Sequence, residues 1–518
     1  MKKQIQITIS PEKGFNPESF KEAAAHYLGI TVEEIASVVP LKRALDARGG
    51  QVRVHLTLDV YTQGTEPEQE IEFIFKDVSK AKRVVVAGMG PAGMFAALRL
   101  IELGLKPIVI ERGKKVTDRK ADVAQLNRTR IINPESNYCF GEGGAGTFSD
   151  GKLYTRSQKR GDVLRILRLF HIHGSNSDIL FDTHPHIGTD KLPTVVKRIR
   201  ETILKHGGEI HFDWKLTDIK TENEVFKAVV NQHGDELQGE ALILATGHSA
   251  RDVYYLLRDK KVKLEFKPFS AGVRVEHPQM LIDQIQYHSD QPDPWLPAAA
   301  YSLATNIEER GVYSFCMCPG GFIVSSSTDN NEIVVNGMSP SRRDSPFANS
   351  GIVVEIREED LQQYASHGEF AGIALQQDLE HMASLNGGNT QIAPAQRLAD
   401  FVKGRISQSL PDCSYVPGIE ISPVHFWYPD FIAKRIRGAM KMFDKKMHGY
   451  LTNEAVVVAA ESRTSTPLRI PRNAETLENE QLRMLFPCGE GAGYAGGIVS
   501  SAMDGERCAE MVAKKLNI

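Results

Sequence analysis

Residues Arg83–Gly113 read RVVVAGMGPAGMFAALRLIELGLKPIVIERG, and the pattern of this stretch decides the fold. The apolar run Val84, Val85 and Val86 has the character of a buried strand and breaks at Gly88. Gly88, Gly90 and Gly93 then spell G-x-G-x-x-G, after which Met94 to Leu103 recur with helical spacing. In such a strand–turn–helix each glycine has its own task. Gly88 makes the tight turn, Gly90 lets main chain approach a pyrophosphate, and Gly93 lets the helix pack closely on the strand. The helix start presents free N–H groups to that pyrophosphate, and Pro91, beside Ala92 in the first turn, removes no needed donor. A second strand, Pro107 to Ile110, ends at Glu111, where an acidic side chain can accept both hydroxyls of an adenosine ribose. An acid there, followed by Arg112 and Gly113, favours FAD or NAD over NADP.

The rest of the chain reads as globular. Its 518 residues, 41% hydrophobic and 25% charged, can bury a large core and are expected to form two or three domains. A net charge of -3 and a pI near 6.6 leave no basic surplus, so composition gives nucleic-acid binding no support. No apolar run approaches a membrane span; the longest, within Val84 to Leu105, carries Arg99 and Glu102. The opening MKKQIQITIS alternates polar and apolar residues, so it reads as a strand and not a signal peptide. Six scattered cysteines make no disulfide framework, and a cytoplasmic location is expected.

Residues 1–80 read as a small N-terminal α/β domain, β-α-α-β with a further strand near Glu70 to Phe75. Ile5, Ile7 and Ile9 alternate in one strand, and Val52, Val54, Leu56, Leu58 and Val60 in another. Thr31 and Glu34 make a capping box for the second helix. This unit is expected to pack on the rest or to bind a protein partner. After Glu111, the charged segment Lys114 to Asn137 crosses to a glycine-rich loop; Arg119 within it is assigned to a phosphate, with a solvated charge as the alternative. The loop, Cys139 to Lys152, holds Gly141, Gly143, Gly144 and Gly146, with Thr147 following, and is read as running along the inner half of the cofactor. Thr189 or Asp190 is expected to cap a helix carrying Leu192, Val195, Val196, Ile199 and Ile203 on one face. Strand-like pieces follow, the last running into Ala245, Thr246 and Gly247 at the carboxyl edge of the sheet.

Residues 269–448 change character, alternating short strands with polar loops, and read as an inserted α+β substrate domain. Cys316 and Cys318 within it are read as buried small side chains and not as a redox pair, and no metal site is expected. The cluster Phe426, Trp427, Tyr428 and Phe431 is read as core. The chain then returns to the nucleotide domain, taken as residues 81–268 and 449–518, with a strand at Val456 to Ala460. Further on, Gly489, Glu490, Gly496, Gly497 and Ile498 repeat the physics of the first motif. Glu490 can take a ribityl hydroxyl, and the helix start at Gly497 and Ile498 offers N–H donors to charge on a flavin.

The set Gly88-Gly90-Gly93, Glu111-Arg112-Gly113, Ala245-Thr246-Gly247 and Gly489-Glu490 with Gly496-Gly497 is similar to the FAD domains of the glutathione-reductase-like flavoprotein superfamily. The stretches Gly141 to Lys152, Gly247 to Asp252 and Cys318 to Gly321 look like those of a bacterial family of predicted FAD-dependent dehydrogenases with an extra N-terminal domain. The resemblance implies a Rossmann-type FAD-binding domain holding extended FAD, adenine at Glu111 and isoalloxazine near Gly497, with the inserted domain over the flavin. It implies an FAD-dependent oxidoreductase acting on a small-molecule substrate. Arg463, Arg469 and His248 are the polar groups assigned to the flavin ring. Two features of that superfamily are absent: a second G-x-G-x-x-G for NAD(P)H, and a C-x-x-x-x-C pair near the first helix. NAD(P)H is therefore expected only as a transient electron donor. A flavin-dependent monooxygenase or reductase acting on a larger apolar substrate, and a non-catalytic flavoprotein that docks a partner, are the alternatives.

Overall fold

Strand Arg83–Ala87 lies at the centre of a five-stranded parallel sheet, between Ala241–Leu244 and Lys106–Ile110, with Leu485–Pro487 and Glu209–His211 at the edges. The computed structural model describes residues 1–49, 51–65, 67, 72–155, 161–291 and 293–518. Val84, Val85 and Val86 are fully buried because helices cover the sheet, which is why their stretch is continuously apolar and not alternating. Helices Pro91–Leu103, Leu192–Lys205 and Ile498–Lys515 share one core through Leu98, Ile199 and Val512. The first and last touch closely at Gly505, where a Cβ would lie 2.1 Å from the Ala92 carbonyl oxygen.

The N-terminal unit is a three-stranded antiparallel sheet, Lys2–Ile9, Arg53–Thr62 and Ile35–Asp46 in spatial order, with helix Ser19–Leu28 burying Phe20, Ala24 and Ala25 on it. The capping box at Thr31 and Glu34 is present, but it closes a single 3-10 turn, Val32–Glu34, which leads straight into strand Ile35–Asp46. With the one-turn helix Pro11–Gly14 before Ser19–Leu28, the order is thus β-α-α-β-β. Pro40 and two register shifts hid this strand, and its edge position tolerates both. Glu72 to Phe75 form no strand; Glu70 and Ile71 lie outside the described residues.

Two further expectations change in the nucleotide domain. The charged crossing after Glu111 is helix Val116–Thr129, which buries only Val116, Arg119 and Leu126 and so carries little apolar pattern. Asp190 does not cap Leu192–Lys205; its carboxylate accepts from Ser341 N and Oγ instead.

The second domain is built on a seven-stranded sheet that includes Phe269–Pro278, Arg310–Cys318, Phe347–Ile356 and Ala393–Arg397, packed by helices Ala371–Asn386 and Asp430–Lys446. Strand Val456–Glu461 belongs to this sheet, between Phe269–Pro278 and Ala393–Arg397. The boundary expected at 448/449 therefore moves past Glu461, because the return strand completes the second sheet before the chain crosses back. Of the aromatic cluster, Tyr428 is buried and donates to the Gly272 carbonyl, whereas Phe426 is 82% exposed.

Candidate functional site

A cleft of about 420 Å³ runs over the carboxyl edge of the parallel sheet, the usual ligand position of such sheets. Gly88 has φ +100, and a Cβ there would meet the Ala245 carbonyl oxygen at 2.4 Å, so the turn admits only glycine. Gly93 is excluded from the cleft, since a Cβ would lie 1.9 Å from Gly88 O; it sets the helix against the strand. Gly90 is different: the nearest atom to a Cβ is Gly144 Cα at 3.9 Å, so its open side faces the cleft. The helices Pro91–Leu103 and Ile498–Lys515 begin at Gly90 and Gly497, and neither N-cap makes a side-chain capping hydrogen bond. Their first N–H groups are left for a partner in the cleft.

These features fit an extended dinucleotide. A Cβ at Gly247, Gly496 or Gly497 would meet nothing within 4 Å, and Gly497 has φ 177, which any residue adopts. Nothing among the described residues demands glycine at Gly497, so its open side is left for an approaching ligand. Pro91, Ala92, Ala245, Thr246 and Ile498 line the same cleft, as do Gly144 and Gly146 of the glycine-rich loop.

Glu111 also faces the cleft, but its carboxylate already organises main chain. Oε2 accepts from Met89 N at 2.9 Å, and Oε1 from Gly113 N and Gly141 N at 3.0 and 2.9 Å. Arg112 is held by Glu135 and Asp252, with its guanidinium 4.1 Å from the Phe140 ring centre. Arg119 is not a phosphate ligand. It is fully buried and donates to the carbonyls of Asn137, Tyr138, Gly141 and Glu142, so its charge holds the glycine-rich loop from behind. Burial pulls its pKa down to about 10. Gly113, Gly143, Thr147 and Gly489 likewise do not line the cleft. A Cβ at Gly113 would lie 2.6 Å from Gly141 Cα, Gly143 gives way to Thr147 Oγ1, and Gly489 N donates to Asp504.

At the second-domain side, His248, Glu490 and Arg463 line the cleft, with His248 Nδ1 3.5 Å from Glu490 Oε1. Arg463 is spoken for: it donates to Glu380, Glu332 and Thr328. Glu380 also takes Arg251 through two bonds, which ties the cleft helix Arg251–Asp259 to the second domain. Burial alone would raise the Glu380 carboxyl, but Arg251 and Arg463 hold it well below the usual carboxylate range. Arg469 is exposed, outside the cleft, with its guanidinium 5.7 Å from the Tyr494 ring. Its short strand Leu468–Arg469 pairs with Glu265–Phe266 and keeps it out of the cleft, so it is not a flavin contact.

Sequence reasoning missed Lys152, Cys316 and Asn336, which line the cleft from the loop end and the second domain. It also missed a second cavity of about 1470 Å³, lined by Arg43, Asp46 and His55 of the N-terminal unit, by His186, and by Tyr301 and Met317. Lys152 and Cys316 border both spaces. The only signal for Lys152 was its place as the basic residue closing the glycine-rich loop.

A parallel sheet with two uncapped, glycine-started helices facing one cleft defines the class: an FAD-dependent flavoprotein fold, and residues 268–464 match the family described as FAD-dependent protein, C-terminal domain-like. The chain belongs to the same family as an "Uncharacterized protein" of Clostridium beijerinckii, 39% identical over 511 residues that cover 95% of each chain. Residues 1–61 match a domain of unknown function. Among solved structures, the flavin-dependent brominase Bmp2 is 14% identical over 85% of this chain and 80% of its own, with a TM-score of 0.37. A geranylgeranyl bacteriochlorophyll reductase-like protein of Thermoplasma acidophilum is 11% identical over 84% and 79%, with a TM-score of 0.36. Across the described residues, no helix is long and apolar enough to cross a membrane.

Proposed function

We propose that the protein is an FAD-dependent oxidoreductase that passes hydride or electrons between FAD in the cleft and a polar small molecule in the second cavity. The observation that carries this reading is the pair of uncapped helix starts, at Gly90 and Gly497, on one cleft. The N–H groups behind Gly90 would hold the pyrophosphate, with Gly144 and Gly146 as the opposite wall. Glu111 would take ribose through its remaining acceptor capacity, and Glu490 a ribityl hydroxyl. The N–H groups behind Gly497 would stabilise negative charge on the ring. FAD supplies the two-electron chemistry; the protein binds, orients and excludes water.

The second cavity carries Arg43, Asp46, Arg48, Lys191, Arg343 and Lys446 in its lining, which favours a polar substrate over the larger apolar one expected for a monooxygenase. The N-terminal unit supplies one wall of this cavity, so its role in this reading is to help hold the substrate, while protein docking through residues 1–80 is the other use it could serve. NAD(P)H as a transient donor and a cytoplasmic site of action belong to the same reading.

The test is anaerobic reduction of the FAD-loaded protein by NADH, by NADPH and by dithionite, followed in the visible spectrum. Retained FAD that a nicotinamide donor bleaches supports the proposal. Failure to retain FAD, or reduction by dithionite alone, overturns the dehydrogenase reading.

A further inference from the structure

Strand Arg310–Cys318 does not finish as a regular strand. Its pairing with Phe347–Ile356 shifts register between Phe315 and Cys318, and Cys316 sits at φ 45, in the left-handed region that side-chain-bearing residues avoid. Such strain persists only where the surroundings impose it, and it gathers at functional sites. Its effect here is to bring the two sulfurs of the C-x-C together. Cys316 Sγ and Cys318 Sγ are 3.9 Å apart, and rotation about the side chains has to close roughly 2 Å to make a bond.

The surroundings are cationic. Lys152 Nζ is 4.0 Å from Cys316 Sγ and 3.6 Å from Cys318 Sγ, and Arg274 donates to the Cys316 carbonyl at 3.3 Å. Two carboxylates offset part of this charge: Asp150, 3.3 Å from Lys152 and paired with Arg343, and the buried Glu461, which takes Arg274 through two bonds, so Lys152 is the cation that faces the sulfurs directly. The two thiols are not equivalent. Cys318 is fully buried, whereas Cys316 is partly exposed and borders both the cleft and the second cavity. A hydrogen bond from the Cys318 thiol, with Lys152 and Arg274 close by, holds the Cys316 thiol well below its ordinary value in spite of burial. The same contact and burial push Cys318 up. One accessible thiolate beside one buried thiol is the division of labour of an attacking and a resolving cysteine.

We propose that Cys316 and Cys318 are a redox-active dithiol, in which Cys316 attacks a disulfide substrate held in the second cavity and Cys318 resolves the mixed disulfide. In the first step the Cys316 thiolate displaces one sulfur of R–S–S–R, forming a Cys316–S–S–R bond and releasing RS⁻, which takes up a proton. In the second, Cys318 gives up its proton and attacks Cys316 Sγ; the second RS⁻ leaves and takes that proton. The substrate gains two electrons and two protons, the dithiol becomes a disulfide, and no other reactant is needed. Cys316 also borders the cleft, so reduced FAD held there would be placed to return two electrons to the disulfide, two protons restoring the dithiol, a part that rests on the proposed function.

The experiment uses the FAD-loaded protein, reduced with dithiothreitol, desalted, and exposed to oxidised glutathione. Intact mass and peptide mapping should show loss of two hydrogens on the peptide carrying Cys316 and Cys318, reversed by dithiothreitol. Cys318→Ser, a near-isosteric change, should trap a glutathione adduct on Cys316, and Cys316→Ser should trap none there. Lys152→Met should slow iodoacetamide alkylation of Cys316 at neutral pH roughly tenfold and move its pH profile upward. Free Cys316 and Cys318 after treatment, or an adduct on Cys139 or Cys413 instead, overturns the proposal. Visible absorbance of the same samples reports FAD separately. A disulfide without bound FAD defeats the flavin reading and leaves the dithiol standing, and bound FAD with unreactive thiols does the reverse.

Discussion

Arg43, on the edge strand of the N-terminal unit, grips Asp182 of the nucleotide-binding domain through two parallel bonds, Nε to Oδ1 at 2.6 Å and NH2 to Oδ2 at 2.9 Å. Asp178 adds a third bond, and the guanidinium lies 4.8 Å and 5.0 Å from the ring centres of Phe15 and Phe181. Main chain joins in, with Arg43 N bonded to Phe181 O and Thr183 N to Arg43 O. The N-terminal unit is thus fixed as a wall of the second cavity.

Arg43→Ala is expected to destabilise the protein by about 3 kcal/mol, because it leaves two carboxylates in a partly desolvated site without their cation. Denaturant unfolding of Arg43→Ala, Asp182→Ala and the double variant measures this directly. A coupling energy near zero would mean that the two units are held by something else.

Arg119→Met should destabilise the FAD-free protein by on the order of 3 kcal/mol or more, and lower its melting point accordingly, since four loop carbonyls lose a charged donor. A phosphate ligand would behave differently: the FAD-free protein would melt as the parent does, and only the stabilisation on adding FAD would shrink. Melting curves with and without FAD separate the two roles.

That residue also shows where sequence reading reached its limit. The glycines could be read because each answers a local demand: a positive φ at Gly88, and a close approach at Gly93. The central strands could be read because burial on both faces makes them uniformly apolar. Arg119 and Arg463 could not be told from cofactor ligands, because their partners are carbonyls and acids distant in the chain, such as Glu380 for Arg463, and Arg469 because nothing local marks it as exposed and outside the cleft. The apolar run Val456 to Ala460 marks a strand but fits either sheet, and only its pairing with Phe269–Pro278 and Ala393–Arg397 assigns it to the second. Cys316 and Cys318 had the spacing of ordinary alternating positions, and only the bulge between Phe315 and Cys318 brings their sulfurs together.

Glu276, 1% exposed in strand Phe269–Pro278, gives a pH signature. Burial pushes its carboxyl up from an ordinary 4.5 to about 6, against hydrogen bonds from Ser414 and the charge of Arg274. The folded state therefore holds the proton more tightly than the unfolded chain. This contribution is fully present below about pH 4.5 and is lost as pH rises through about 6, amounting to about 2 kcal/mol. Glu276→Gln cannot titrate. Across that window the parent should lose about 2 kcal/mol relative to the variant in urea unfolding, with a constant difference above it. A difference flat from pH 4 to 8 would mean that burial leaves the carboxyl at its unfolded-state value.

The glycines at the two helix starts should respond oppositely to substitution. At Gly93 a Cβ would lie 1.9 Å from Gly88 O and 3.3 Å from Val86 Cγ1, atoms of the turn and the central strand that cannot move apart cheaply. Gly93→Ala should therefore cost more than about 3 kcal/mol, or prevent folding, with or without FAD. Gly497 has extended φ and an empty surrounding, so Gly497→Ser meets no clash. Its hydroxyl can cap the helix Ile498–Lys515, which should leave the FAD-free protein as stable as the parent or a few tenths of a kcal/mol more so. The same hydroxyl takes up N–H donors that the proposed function gives to the flavin, and fills the space the ring would approach. FAD affinity, read from quenching of flavin fluorescence, should fall about tenfold, equivalent to about 1.4 kcal/mol. Parent-like FAD binding by Gly497→Ser, in a protein that unfolds as the parent does, would remove this helix end from the cofactor site.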